Sequence, residues 1–237
     1  MSDMKRALLI ALPPSLAWTP PSVSWCNPSA TKGFHGRLTH IRQSRSQPSP
    51  VKRSHVRILW YFHLMSPELR GLPIEIAFLP VLRVHRGKLL SGNTVAGREV
   101  HAGSFLRQRR VVLDAALKKH PAELDRILTH ELFHFAWLRL GNPKRRSYED
   151  LLKREYKTGV EGELGWSAEC AKAAITRADS TGRTRRWRDY VCESFCDSGA
   201  WLFASPGRHE EFTLPSSACR ARRRWFEQAR LTHVISL

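Results

Sequence analysis

Residues 129–135 read THELFHF, and they place His130 and His134 four apart with Glu131 directly after the first. Side chains at i and i+4 share a face only on a helix, so the chemistry here requires one. On a helix the two imidazoles would point at one place, where a zinc ion would give both of them a partner. A glutamate next in chain to the first histidine points off the His130–His134 line. It suits a general base acting on water beside the metal rather than a third ligand.

A catalytic zinc takes three protein ligands and keeps a position for water. The continuation HExxHxxGxxH, which brings a third histidine on the same segment, is excluded, because Trp137 and Leu140 occupy those positions. The third ligand must come from further along. YVCESFCDSGAWLF, residues 190–203, reads as a second mostly apolar helix carrying Glu193 and Asp197 four apart. An acidic pair on a buried face calls for a cation. Glu193 is the favoured ligand, and Asp197 the group that accepts a hydrogen bond from the far nitrogen of a ligand histidine and so fixes its tautomer. Glu161, Glu163 and Glu169 compete for the ligand role, but they lie in a Gly-rich stretch that reads as exposed and lack an acid four residues on.

HELFH followed downstream by CESFCD resembles the gluzincin branch of zinc metallopeptidases, of which thermolysin is the familiar member. That branch pairs HExxH with a later NExxSD-type helix. Here Cys192 stands in place of the Asn and Cys196 in place of the Ser. The resemblance implies that His130, His134 and Glu193 bind Zn2+, that Glu131 is the base and that Asp197 orients His130. It covers two helices and does not transfer a substrate.

Such a site would hydrolyse an amide, with a peptide or protein as substrate. Zinc would activate the water and polarise the carbonyl. Glu131 would take the water's proton and pass it to the leaving amine. An oxyanion also needs a donor, and beyond Tyr190 only His209 and Arg220 are candidates. Two other classes stand beside the peptidase. One is a regulatory zinc protein that acts on or binds a single partner. The other is a nucleic-acid-associated protein with structural zinc, which Glu131 beside an open metal position argues against.

The flanks must make the helices. Pro121 opens the first at a favourable position, Glu123 suits its positive end, and Gly141 with Pro143 stops it. Apolar residues on nearly every side from Leu124 to Leu138 predict a buried helix. Residues 55–64, 72–87 and 109–114 carry the β-branched and aromatic residues of strands, with a turn at Ser91-Gly92-Asn93. After Gly141 the chain reads as helical over SYEDLLKREY, WSAECAKAAIT, the Glu193 segment and a last helix from Ala218 to Arg230. The expected fold class is α+β and zincin-like: a small N-terminal sheet packed on the HExxH helix, then a mainly helical C-terminal half. Residues 1–54, rich in Pro and Ser, read as a disordered basic tail, and residues 55–237 as the domain.

The formal net charge is +18, with basic runs at RTRRWR (183–188) and RARRRW (220–225). A basic surface suits nucleic acid, an anionic membrane or an acidic protein, and Trp187 and Trp225 could stack on bases. No segment is apolar over the length a membrane span needs. Five cysteines without a CxxC pair fit reduced thiols and a cytoplasmic protein, with Cys192 and Cys196 as small buried packing residues. The short apolar run after Met4 leaves secretion as the alternative.

Overall fold

A computed structural model describes residues 7–11, 67–92, 96–204 and 207–237. The fold is α+β: a curled, mainly antiparallel sheet precedes a group of helices. The strands are β1 (Ala7–Ala11), β2 (Glu68–Arg70), β3 (Glu75–Leu79), β4 (Leu82–His85), β5 (Lys88–Ser91), β6 (Arg98–Phe105), β7 (Arg110–Asp114) and β8 (Val234–Ser236). The helices are α1 (Pro121–Arg139), α2 (Asn142–Lys157), α3 (Trp166–Ala173), α4 (Arg177–Gly182), α5 (Arg185–Phe203) and α6 (Ser216–Gln228).

The sheet runs β3-β7-β6-β4-β5, with β3 parallel to β7 and the other neighbours antiparallel. β7 shows why its central residues Val111, Val112 and Leu113 are all apolar. Alternate residues of a strand face opposite sides. Val111 and Leu113 meet Ile127 and Phe135 of α1, while Val112 packs on the other side with Leu82, Val84 and Val100. The expected strand at residues 55–64 lies outside the described residues, and so does most of the expected tail. Within that tail, Ala7–Ala11 pairs antiparallel with β6, Leu8 opposite Ser104. A small second pairing joins β2 to β8 in parallel, Glu68 opposite Val234.

α1 has Pro121 in its first turn, and the chain turns at Gly141 straight into α2, whose first turn holds Pro143. The stop signal of one helix thus serves as the start signal of the next. α1 is buried from Ile127 to Ala136, Leu128 only partly, because the sheet covers one side and α5 the other. The burial ends sooner than its apolar run suggests: Leu138 is 51% exposed. α1 and α5 approach closely at Gly199, where a methyl group would fall 2.3 Å from a Phe133 ring carbon. Phe133, Phe195, Trp225 and Phe226 fill the space between α1, α5 and α6 with tilted, stacked and edge-on rings.

α5 starts earlier than expected. Thr184 caps it by accepting from the Trp187 amide, so RTRRWR opens the helix rather than preceding it. Trp187 then faces inward at 0% exposure and donates its indole N–H to Glu149. Arg183 forks onto the same carboxylate with two 2.6 Å bonds. Trp225 is 8% exposed and donates to Ser147. Neither tryptophan offers a face to a base, which corrects the stacking role expected of them.

Candidate metal centre

α1 and α5 pack with His130 and His134 facing Glu193 and Asp197. His130 Nε2 and His134 Nε2 stand 3.1 Å apart. Glu193 Oε2 lies 3.3 Å from the first and 4.0 Å from the second. Ligands arranged tetrahedrally about zinc at its usual bond lengths stand about 3.4 Å from one another, so the three atoms have the spacing of one coordination sphere.

Asp197 is on the other side of His130. Its Oδ1 is 2.6 Å from Nδ1, and its Oδ2 accepts from the Ala168 amide at 2.9 Å. The carboxylate therefore meets the N-terminal turn of α3 and the imidazole together. Accepting from Nδ1–H leaves Nε2 with its lone pair toward Glu193 and His134. Burial alone would lower the His130 pKa, but Asp197 and Glu193 hold it well above the ordinary value. His134 is driven the other way, by burial and by His130.

His134 turns its second nitrogen toward sulfur. Cys196 Sγ is 3.2 Å and Cys192 Sγ 3.6 Å from Nδ1. A buried group of His130, His134 and Cys196 could hold a metal ion, their ligand atoms lying within 4.8 Å of one another. The two cysteines are buried as expected. They also touch the site, which their reading as packing residues did not foresee.

Glu131 is 0% exposed. One carboxylate oxygen accepts a hydrogen bond from Ser104 of β6, and the other, Oε1, is buried with no partner among the described residues. Burial pushes its carboxyl up to about 7, while His130 and the Ser104 bond pull it down. A buried oxygen without a donor is costly unless something absent from the protein's own atoms completes it. Ser104 escaped the sequence reading because its strand carries no alternating pattern.

The competing acids are placed elsewhere. Glu161 is exposed. Glu163 is fully buried, contrary to the exposed look of its Gly-rich stretch, and is held by Arg222 at 2.6 Å and by the Tyr190 hydroxyl at 2.6 Å. Arg222 also meets Glu155 at 2.8 Å, so a central arginine of the RARRRW run is an interior counter-ion. Glu169 is half-buried on α3, and burial raises its carboxyl. His209 has both nitrogens engaged: Nε2 lies 3.3 Å from Glu123 Oε2, two turns before His130 on α1, and Nδ1 accepts from the Glu211 amide. Burial raises the Glu123 carboxyl, but Arg126 and His209 outweigh it and hold it at about 2.

Compared with family models, with curated proteins and with solved structures, the chain finds no match in any of the three. No helix among the described residues is long and apolar enough to cross a membrane.

Proposed function

We propose that this protein is a zinc metallopeptidase of zincin type, in which His130, His134 and Glu193 hold the ion and Glu131 is the general base. The observation that carries the reading is the convergence of His130 Nε2, His134 Nε2 and Glu193 Oε2 at 3.1, 3.3 and 4.0 Å, with an unpartnered Glu131 oxygen beside them. The resemblance to gluzincins supports the same roles. Cys196 competes with Glu193, but it faces Nδ1 of His134, and one imidazole cannot turn both nitrogens to a single ion. Two imidazoles and a carboxylate form a donor set suited to zinc with a position left for water.

When bound, the ion supplies Lewis acidity toward water and an amide carbonyl. Glu131 takes the water's proton on Oε1 and delivers it to the leaving amine, while Ser104 holds the other oxygen. Asp197 keeps His130 in the tautomer that offers Nε2.

The test is metal analysis and hydrolysis of a defined peptide mixture, read by mass spectrometry, on wild type, Glu131→Gln and His134→Ala. Glu131→Gln keeps zinc and loses hydrolysis by roughly 10²–10⁴-fold. His134→Ala loses both. Zinc-loaded wild type that cuts nothing in the mixture, or Glu131→Gln that cuts at the wild-type rate, overturns the peptidase and leaves a metal site of regulatory or structural use.

A further inference from the structure

Beyond His209 lies a cavity of about 510 Å³ lined by Trp201, Arg208, His209, Phe212, Arg220 and Arg223, among others, and none of its lining residues is acidic. Arg208, Arg220 and Arg223 are all exposed, and Arg223 lies over the Trp201 ring at 5.0 Å. No ion pair joins any of the three to a carboxylate among the described residues. The buried arginines are matched: Arg126 with Glu123 and Glu211, Arg222 with Glu155 and Glu163. Glu211, next to the cavity in sequence, is taken by Arg126 and the Trp166 amide.

The position of the cavity gives these charges a use. Glu193, Asp197 and Trp201 follow one another at four-residue steps and so form one stripe along α5. His209 anchors the cavity's other wall to Glu123, on the α1 face that later carries His130. The cavity thus lies about two helical turns along α5 from Glu193. From Glu193 to Trp201 the helix rises about 12 Å, which three to four residues of extended peptide span.

We propose that this cavity is an anion subsite that receives an Asp or Glu side chain of the peptide substrate, so that the protein selects acidic peptides. The substrate role rests on the peptidase reading. Guanidinium forks match carboxylates in geometry and charge. An RNA strand shares the charge but needs aromatic platforms for its bases. Arg223 covers one face of Trp201, and Trp187 and Trp225 are buried, so Phe212 and His209 are the main rings left to stack a base.

The experiment is fluorescence anisotropy with zinc-loaded full-length Glu131→Gln protein, which does not consume its ligand. The probes are labelled hexaglutamate, hexaglutamine and hexauridylate. Hexaglutamate should bind most tightly, and Arg208→Ser with Arg220→Ser should weaken it roughly tenfold or more. The exposed pair Arg224→Ser with Arg230→Ser, which removes the same charge outside the cavity, should leave binding nearly unchanged. Equal loss in both pairs, or hexaglutamine binding as well as hexaglutamate, overturns the subsite. Tighter binding of hexauridylate with the same arginine dependence also overturns it, in favour of nucleic acid. The two readings fail separately. Arginine-dependent hexaglutamate binding with no cleavage by wild type removes the peptidase and keeps the anion site. Cleavage of the peptide mixture with no preference for acids near the cut does the reverse.

Discussion

Gly165 touches the carboxylate of Asp197 so closely that a methyl group on it would fall 2.3 Å from Asp197 Cγ. Its φ of 174° is ordinary extended backbone, so contact, and not conformation, requires glycine there. Gly165→Ala should push Asp197 off His130 Nδ1 and the Ala168 amide together. The expected cost is about 1–3 kcal/mol of stability and roughly 10–100-fold in zinc affinity. Chelator competition and urea unfolding measure the two effects. A folded Gly165→Ala protein with wild-type zinc affinity would deny Asp197 its orienting role.

Ser104 is the only described side chain that hydrogen-bonds a Glu131 carboxylate oxygen. Ser104→Ala should leave zinc content unchanged and reduce kcat, with little effect on KM, because it loosens the base rather than the substrate. A fall of about tenfold is expected from one lost charge-assisted hydrogen bond. Ser104→Thr, which keeps the hydroxyl on a strand, should recover most of it. Loss of zinc in Ser104→Ala would show that β6 supports the metal group itself.

Cobalt in place of zinc separates the two ligand sets. With His130, His134 and Glu193 around the ion, the spectrum should lack a sulfur-to-cobalt charge-transfer band, and Cys196→Ser should not alter it. Burial raises the Cys196 thiol well above its ordinary pKa, which opposes the thiolate a ligand would need. A charge-transfer band that Cys196→Ser removes would move Glu193 out of the coordination sphere.

Burial raises the Glu163 carboxyl, yet Arg222, Lys172 and Tyr190 together hold it below its ordinary 4.5. A pKa lowered in the native state means that the unfolded chain binds more protons in acid. The stabilisation is therefore complete above about pH 4.5 and is lost as pH falls through the native value. Urea midpoints taken from pH 7 downward should decline in that window. In Glu163→Gln the decline should flatten, and stability at pH 7 should drop by roughly 3–5 kcal/mol, because Arg222 keeps only Glu155. An unchanged acid limb would assign acid sensitivity to other carboxylates.

What could be read in the sequence was local. HExxH and the Glu193–Asp197 pair are four-residue spacings, so a helix alone puts each pair on one face. α2, α6 and β7 were legible for the same reason, from period and stop signals. β6 was not: its REVHAGSF has no alternation, and its buried end is covered by α1, with Ser104 meeting Glu131 27 residues on. α4 carries a local sign of its start, the Thr176-x-x-Asp179 capping box.

Errors about charge share a cause. Glu163 looked exposed because its neighbours are glycines, and Arg222 looked like surface charge because its neighbours are arginines. Each is buried because the other is, and a partner 59 residues away leaves no mark in a local window. Trp187 among its arginines shows no helical period in a short window. Once α5 begins at Arg185, that period turns the ring inward and leaves Arg186 and Arg188 outside.

The pairing of β2 with β8 joins the first described strand beyond β1 to the last, Glu68 with Val234, and the Leu237 amide donates to Arg70. Loop-closure entropy must be overcome before such a contact rewards it, so this clasp forms late in folding. During synthesis α1 leaves the ribosome with its two histidines well before α5 brings Glu193 and Asp197. At that stage a nascent chain carries only half of the candidate metal group. The candidate metal group is complete only once α5 has followed α1 in synthesis.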